Sequence, residues 1–253
     1  SKERARYDHL RNASVAVLTG IDESVPSQQR RFQVLTALTR LRQLACHPRL
    51  VDPNWKGTSA KLEVLRELLT ELHAEGHRAL VFSQFTTLLA EVRAILDHDA
   101  IPYRYLDGKT RAAKRRDEVD RFQSGDATVF LLSLKAGGTG LNLTAADYVI
   151  HLDPWWNPAV EDQATDRAHR IGQDKPVTVY RLVSRDTIED AILEMHADKR
   201  ELVESLLDGT GRAAGLTTEQ LIAMIGQSHR ADRLDDALED DALEDDALED
   251  DAL

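Results

Sequence analysis

The most informative stretch of this sequence is Asp162-Gln163-Ala164-Thr165-Asp166-Arg167-Ala168-His169-Arg170-Ile171-Gly172-Gln173. Arg167 and Arg170 are three residues apart, a spacing that places two side chains on one face of a helix. We predict that both lie on the last turn of a helix that ends at Gly172. Two permanently charged guanidinium groups, each with several N–H donors, suit a phosphate better than a lone carboxylate. The alternative is a solvated helix end, with Asp162 and Asp166 as ion-pair partners of the arginines.

The arginine stretch resembles the last helicase motif of superfamily-two ATPases, in the form found in the Swi/Snf family of DNA-dependent remodelling translocases. The match is almost continuous, which makes it far more specific than a glycine pattern alone. The resemblance implies that Arg167 and Arg170 are arginine fingers that reach across a cleft to ATP phosphates held by a partner lobe. Such a finger contributes roughly 10³–10⁵-fold in rate. The resemblance also implies that Gln163 and Asp166 lie near the nucleotide.

Composition is that of a globular protein, with 42% hydrophobic residues in 253, enough for one large α/β domain or one domain with appendages. Cys46 is the only cysteine, which excludes a disulfide framework and a cysteine-based zinc site. The sequence contains no signal peptide pattern and no apolar run long enough to span a bilayer. We therefore expect a soluble, intracellular protein of the cytoplasm, nucleoid or nucleus, with no membrane partner.

The net charge of −12 is concentrated at one end of the chain. Residues 235–253 contain eight Asp and three Glu with no Lys or Arg, which leaves a net charge of −1 for residues 1–234. The acidic balance therefore does not argue against nucleic-acid binding by the folded part. The tail repeats Asp-Asp-Ala-Leu-Glu with a period that fits neither a helix nor a strand. We expect a solvated, mobile tail, or else a docking surface for a basic protein partner or an acidic mimic that competes with DNA.

Strand-like and helix-like segments alternate along the middle of the chain. Short apolar runs predict strands at residues 79–83, 103–106, 128–132, 148–152 and 177–183. Helical spacing predicts helices at about 28–50, 59–76, 88–96, 111–121, 187–206 and 218–225. Alternation of this kind predicts an α/β fold with a parallel sheet flanked by helices. Ligands bind at the carboxyl ends of strands in such sheets, so the loops that follow the first four strands are the candidate functional loops.

The resemblance makes the architecture more specific. It implies a RecA-like helicase C-terminal lobe at residues 57–208, preceded by a helical segment at 1–56. A helical extension at 209–234 and the acidic tail at 235–253 complete the expected division. The segment Leu41-Arg42-Gln43-Leu44-Ala45-Cys46-His47-Pro48 also resembles the Swi/Snf family just upstream of its second lobe. Its cysteine and histidine lack further ligands nearby, so we interpret them as packing or capping residues.

The helix predicted at 28–50 carries an apolar stripe and several arginines. The stripe consists of Phe32, Leu35, Leu38, Leu41 and Leu44. The arginines are Arg30, Arg31, Arg40, Arg42 and Arg49, and no acidic residue lies among them. Either these arginines form a solvated basic face, or they form a surface that contacts phosphates, as in nucleic-acid sites.

A glycine-rich segment directly follows the third predicted strand: Ser133-Leu134-Lys135-Ala136-Gly137-Gly138-Thr139-Gly140-Leu141-Asn142-Leu143. Glycines let a backbone approach a phosphate and direct N–H groups at it, although a tight strand-to-helix connection would also use them. The segment resembles the fifth motif of the family. The resemblance implies that Ser133, Lys135 and Thr139 contact the nucleic-acid backbone, and that Gly138 and Gly140 couple this contact to the nucleotide.

Other candidate DNA contacts lie in the remaining loops. Ser83 and Gln84 resemble the fourth motif of the family, in which a polar group contacts a DNA strand. Lys109 lies in the loop after the second strand, which the resemblance places on the DNA-facing side. Trp155 and Trp156 are adjacent, so we expect one in the core and the other at a lobe interface or near DNA, and we assign Trp155 to DNA.

Local signals define the start of the arginine-bearing helix. Asn157 is a suitable N-cap, and Pro158 suits the first helical turn. His151 and His169 have no carboxylate or second histidine at ligand spacing, so we interpret both as structural and predict no metal site.

The sequence given contains no Gly-x-x-x-x-Gly-Lys-Thr loop and no Asp-Glu-x-His strand end. The resemblance therefore implies the second half of a motor, whose ATP and Mg²⁺ are bound mainly by a first RecA-like lobe of the same protein. We expect a DNA-dependent ATPase that moves along duplex DNA, and almost no hydrolysis by this chain alone. The alternative is a standalone nucleic-acid or protein-binding module with vestigial ATPase motifs. Whether a nucleosome, a transcription complex or a repair intermediate is the target stays open.

Overall fold

The computed structural model describes residues 1–21, 25–134, 136, 141–168, 176–198 and 216–227. Strands in this part of the chain form a five-stranded sheet of order β2-β3-β1-β4-β5. The strands are β1 Ala79–Ser83, β2 Tyr103–Leu106, β3 Val129–Ser133, β4 Tyr148–His151 and β5 Thr178–Arg181. Every pairing between them is parallel. The structure therefore confirms the predicted α/β, RecA-like architecture.

Helices flank the sheet and precede it. They are α1 Lys2–Thr19, α2 Ser27–Cys46, α3 Ala60–Ala74, α4 Thr86–His98, α5 Ala112–Gln123, α6 Pro158–Thr165, α7 Ile188–Asp198 and α8 Thr218–Gln227. A single 3₁₀ turn, Pro48–Leu50, follows α2. Residues 199–206 of the helix predicted at 187–206 lie outside the described residues, as does the acidic tail. The division of the chain into domains stays a prediction.

The sheet is covered on both faces, which explains why the first four positions of β1 are apolar. Val81 belongs to a core cluster with leucines of α3 and α4 on one face. Phe82 and Phe130 belong to a second cluster on the other face, together with Phe122 of α5. A central strand with two buried faces reads as a continuous apolar run, and all five residues of β1 are buried.

A third cluster joins α1, α2, α7 and α8, which we call the helical unit. Helix α1 lies within the helical segment predicted at 1–56, but its bounds were not predicted, although Tyr7, Arg11 and Leu18 recur at helical spacing and are buried. The Tyr7 hydroxyl accepts a hydrogen bond from Ile188 N–H at 2.6 Å, at the start of α7. The amino-terminal helix is therefore docked on the end of a helix that follows the sheet.

The predicted stripe on α2 was partly wrong. Phe32 is 70% exposed, whereas Val34 is fully buried and faces the helical unit. The arginines also do not form one solvated or phosphate-contacting face. Arg31 donates to the Leu216 carbonyl at 2.8 Å, and Arg42 is buried. These two guanidinium groups are used for contacts within the chain, since α2 packs against other helices rather than standing free.

A buried ion pair joins α3 to α7. Lys61 Nζ donates to the two carboxylate oxygens of Glu189 at 2.7 and 2.6 Å, and to the Leu152 carbonyl at 2.8 Å. The same carboxylate accepts from Ser184 N–H at 2.8 Å. Both charged side chains are almost fully excluded from solvent. Removing one partner would leave an uncompensated charge in the core.

We expect Lys61→Met to lower the free energy of unfolding by about 3–5 kcal/mol, because it leaves the Glu189 carboxylate buried without its cation. The double variant Lys61→Met/Glu189→Leu should recover most of this loss, because it removes both desolvated charges. Urea denaturation of this chain measures both.

The control is Glu91→Gln, which breaks the more exposed pair with Arg49 (2.8 Å) and should cost about 0–1 kcal/mol. A Lys61→Met variant as stable as the control would contradict the importance of the buried pair.

Candidate nucleic-acid and nucleotide interface

The carboxyl ends of neighbouring strands bring several predicted loops together. Ser83 at the end of β1 lies in register with Ser133 at the end of β3. The ladder extends by one residue on each side of β1, because Leu134 N–H donates to the Ser83 carbonyl and Leu152 N–H donates to the Phe82 carbonyl, each at 3.0 Å. The loops that follow β3 and β4 therefore flank the loop that follows β1.

The Asp153 carboxylate organises the centre of this edge. It is 1% exposed and accepts hydrogen bonds from Ser83 Oγ at 2.5 Å and from Gln84 Nε2 at 2.6 Å. Burial raises the pKa of the Asp153 carboxyl, an effect opposed by the Arg42 charge and the Ser83 hydrogen bond. Ser83 and Gln84 thus point into the lobe and anchor Asp153. Their contact with DNA stays a prediction that this arrangement does not favour.

Sequence reasoning missed Arg42 and Asp153 as partners. Arg42 Nη1 donates to Gln84 Oε1 at 2.9 Å, and Nη2 donates to the Pro154 carbonyl at 2.6 Å. The sequence did offer one indication for Asp153, because it lies in the predicted loop after β4, which was one of the candidate functional loops. For Arg42 there was none, because an arginine on an amphipathic helix is usually exposed.

Helix α5 holds both ends of the glycine-rich segment. Arg115 Nη1 donates to the Ala136 carbonyl at 3.0 Å, and Gln123 Oε1 accepts from Ala145 N–H at 2.9 Å. The Ser133 hydroxyl is buried and accepts from Ala136 N–H at 3.3 Å. Helix α5 thus contacts Ala136 before the glycines of this segment and Ala145 shortly after its end.

Several predicted site residues lie outside the described part of the chain, and their roles stay predictions. These residues are Lys135, Gly138, Thr139, Gly140 and Arg170. His169 lies outside it as well.

Exposed cations lie at the start of α5, next to the loop after β2. The loop is a tight turn in which the Asp107 carboxylate accepts from Lys109 N–H at 2.9 Å and from the Thr110 hydroxyl at 3.1 Å. The Lys109 side chain is left exposed. The exposed cations that follow it are Arg111, Lys114 and Arg116. These side chains are accessible to solvent at this corner of the carboxyl edge, and their contact with DNA stays a prediction.

The structure corrects the predicted position of Arg167. Asn157 caps α6 by accepting from Ala159 N–H at 3.0 Å, as predicted, but the helix ends at Thr165. Arg167 lies in the turn that follows, because its N–H bonds to the Ala164 carbonyl three residues back, at 3.3 Å, and tightens the chain. The Arg167 carbonyl accepts from Leu143 N–H at 3.0 Å. We call residues 166–168 the arginine turn, and this bond ties it to the exit of the glycine-rich segment.

Arg167 is 3% exposed, so it is not part of a solvated helix end. Asp162 lies 3.9 Å from Arg181, and a pair with Arg170 would lie outside the described residues. Gln163 and Asp166 are both exposed. Their side chains are accessible, and their predicted role at the nucleotide is not tested by this arrangement.

Both tryptophans of the β4–α6 loop are buried, contrary to the expectation that one would be free for another surface. Trp155 is 8% exposed and packs in the cluster that contains Phe130. Trp156 is 7% exposed and packs in the helical unit. Burial of Trp155 does not favour its assignment to DNA, which stays a prediction.

His151 at the end of β4 is a buried aromatic side chain. It stacks on Phe82 with ring centroids 5.6 Å apart, and its Nε2 lies 3.2 Å from the Thr165 hydroxyl. Burial lowers the pKa of His151 to about 4. Among the residues that the structure describes, no group of His, Cys, Asp or Glu side chains could hold a metal ion. None of the described helices is long and apolar enough to cross a membrane.

The parallel five-stranded sheet flanked by helices, with loops gathered at its carboxyl edge, is a RecA-like lobe. In agreement, the model of the helicase conserved C-terminal domain matches residues 60–172. The solved C-terminal domain of the Sulfolobus solfataricus SWI2/SNF2 ATPase is 31% identical to this chain and superposes with a TM-score of 0.68. The match covers 87% of this chain and 91% of that domain. The chain therefore belongs to the SWI2/SNF2 family of ATPases and corresponds to their C-terminal lobe.

Two proteins of similar sequence are much longer than this chain. A putative ATP-dependent helicase/translocase of Bacillus subtilis, YwqA, is 39% identical over 204 residues, which is 78% of this chain and 22% of that protein. The chromatin-remodeling ATPase INO80 of Drosophila melanogaster is 49% identical over 152 residues, which is 60% of this chain and 9% of that protein. The chain thus spans about a fifth or less of the length of these relatives.

His151 should make stability fall as the solution is acidified. Between its ordinary pKa of 6.5 and its folded value of about 4, the unfolded chain binds a proton that the folded chain excludes. We expect protonation of this side chain to lower the free energy of unfolding by up to about 3 kcal/mol between pH 7 and pH 4. His151→Gln should therefore show a shallower pH dependence in urea denaturation.

The curves of the two proteins should run parallel above pH 7.5, which serves as an internal control. Parallel curves at pH 4–6 as well would show that His151 is not held neutral by burial.

Proposed function

We propose that this chain is the second lobe of an ATP-driven motor that moves along double-stranded DNA. ATP with Mg²⁺ would be bound mainly by a first RecA-like lobe, with Arg167 and Arg170 closing over its phosphates. The observation that carries the proposal is the match to the Sulfolobus solfataricus SWI2/SNF2 ATPase core solved in complex with double-stranded DNA. The two superpose with a TM-score of 0.72 at 31% identity, over 87% of this chain and 47% of that one.

The connection between the glycine-rich segment and the arginine turn supports this proposal. The Leu143–Arg167 bond of 3.0 Å joins the exit of the segment to the turn. Arg115 and Gln123 fix the same segment to α5. A DNA backbone bound at the segment would therefore be mechanically connected to the residues proposed to act on ATP.

The charge at the carboxyl edge supports a grip on phosphates rather than on bases. Lys109 and the exposed cations of α5 are long, flexible side chains on one corner of the lobe. Contacts of this type position a protein on DNA but carry little sequence information. The proposed motor would therefore move along duplexes of unrelated sequence.

A second candidate function is a DNA-binding module in which the arginine turn is structural. The burial of Arg167 favours it, because an arginine finger has to reach a phosphate. The motor proposal accordingly requires that docking of the first lobe exposes the Arg167 guanidinium or leaves the contact to Arg170.

The motor proposal predicts DNA-stimulated ATP turnover when a separately purified first lobe is added, and almost none from this chain alone. Arg170→Ala should lower the turnover roughly 10³-fold, because a finger that stabilises the transferring phosphoryl group is lost. Arg66→Ala on the outer surface of α3 is the matched control and should leave the rate unchanged. A coupled ATPase assay measures all of these rates.

Two results would contradict the motor. One is substantial turnover by this chain alone. The other is a two-lobe mixture that binds ATP and DNA but never turns over, which would favour the binding module.

Binding of duplex DNA by this chain should weaken steeply with salt, because each neutralised phosphate releases counterions. Lys109→Ala should lower affinity equally for unrelated sequences and reduce the slope of log K against log salt by about 1. Fluorescence anisotropy over a salt series measures this slope.

The control is Arg121→Ala, which removes an exposed cation at the opposite end of α5 and should leave the slope unchanged. An unchanged slope in Lys109→Ala would place the DNA elsewhere on the chain, and an equal reduction in both variants would show that the contact is not specific to the Lys109 corner.

A further inference from the structure

Arg42 is a buried charge on α2 that enters the edge of the neighbouring sheet. It is 4% exposed, and its guanidinium lies over the ring of Trp156 at 5.1 Å and near that of Phe85 at 5.8 Å. Its two terminal nitrogens donate in two directions, to Gln84 Oε1 at 2.9 Å and to the Pro154 carbonyl at 2.6 Å. One side chain of the helical unit therefore contacts the loop after β1 and the loop after β4 at once.

The contacts of Arg42 close a network around Asp153. Gln84 accepts from Arg42 through its oxygen and donates to Asp153 through its nitrogen at 2.6 Å. Arg42 Nη2 lies 3.8 Å from the same carboxylate. The Gln84 side chain thus uses both of its ends inside the lobe. Loss of Arg42 would remove one of the two buried cations, Arg42 and Lys61, that act on the Asp153 charge, and would leave the Gln84 oxygen without this donor.

The network continues into α6 and the arginine turn. Pro154 holds Arg42 through its carbonyl, and the next residue, Trp155, donates its N–H to Glu161 Oε1 of α6 at 2.7 Å. Helix α6 ends at Thr165, and Arg167 follows. The position of the arginine turn therefore depends on where the loop after β4 is held.

We propose that Arg42 is a positioning residue that fixes the loops after β1 and β4 to the helical unit and thereby sets the placement of α6 and the arginine turn. The predicted effect of Arg42 on ATP turnover rests on the proposed motor function, whereas its predicted effect on the two loops does not. Arg42 contacts neither nucleotide nor DNA in this role. It acts through Gln84, Asp153 and Pro154.

The chemistry of the site requires a guanidinium. Its planar group has donors that diverge toward Gln84 and Pro154, while its face stacks on Trp156. A lysine ammonium carries all its donors on one atom and has no planar face to stack on Trp156, so it cannot reproduce the two separate donor atoms and the stacking of the guanidinium. Arg42→Lys keeps the charge and most of the chain length, so it tests geometry with the least damage to folding. Arg40→Lys, on the exposed side of the same helix, is the matched control.

The structural test uses this chain alone. Amide hydrogen exchange at Gln84, Phe85 and Trp155 should be about tenfold faster in Arg42→Lys, because local opening of these loops becomes easier. Amides of β2 and α5 should exchange at the wild-type rate, and Arg40→Lys should match wild type throughout. Unchanged exchange at the loops, or uniform acceleration over the whole sheet, would overturn the positioning role.

The kinetic test uses the two-lobe protein. Arg42→Lys should lower kcat about tenfold or more, since small displacements of catalytic groups are costly, while KM for ATP changes by less than about threefold. In an Arg170→Ala background the same substitution should change kcat by less than about twofold, because its effect on the rate passes through the arginine turn to the proposed finger Arg170, which follows the turn in the sequence. An equal loss in both backgrounds would overturn the proposal. Absence of wild-type turnover would instead contradict the motor, and the exchange test would still decide on Arg42.

Discussion

The buried carboxylate of Asp153 is the interaction on which the carboxyl edge of this lobe depends. A charge without solvent costs several kcal/mol unless cations and hydrogen-bond donors surround it. Here Ser83 and Gln84 supply the donors, and Arg42 supplies the cation. With Asp153 itself, these residues come from α2, the end of β1 with its following loop, and the loop after β4, which are far apart in sequence. If one of the three elements moved alone, the carboxylate would lose a hydrogen-bond donor or its cation while it stayed buried.

A second buried cation, Lys61, binds the backbone next to Asp153. Lys61 donates to the carbonyl just before Asp153, and Arg42 donates to the carbonyl just after it. Lys61 is in turn neutralised by Glu189 of α7. The end of β4 is thus held from α2, α3 and α7 together. This arrangement explains how helices that lie outside the sheet can determine the geometry of the loops that bear the proposed nucleic-acid and nucleotide contacts.

Features encoded by local sequence could be predicted, and features that depend on distant partners could not. The strands follow from short apolar runs, and the caps Ser59 and Asn157 follow from side chains that bond to nearby N–H groups. The bounds of α1 were not predicted, because its buried side chains have partners mainly in the other helices of the helical unit. Arg42 was misinterpreted because sequence gives no sign of a carboxylate more than a hundred residues away. The prediction that Arg167 lies on a helix was wrong, because the helix ends in a tight turn after Thr165 although the residues that follow keep a helical spacing in the sequence.

The most direct measurement is photo-crosslinking of this chain to duplex DNA from one residue at each edge of the sheet. A photoreactive phenylalanine analogue would replace Lys109 at the carboxyl edge or Glu75 at the amino edge, both of which are exposed. If the carboxyl edge is the working face of the lobe, the probe at position 109 forms the crosslink and the probe at position 75 does not. Equal or stronger crosslinking from position 75 would contradict the account.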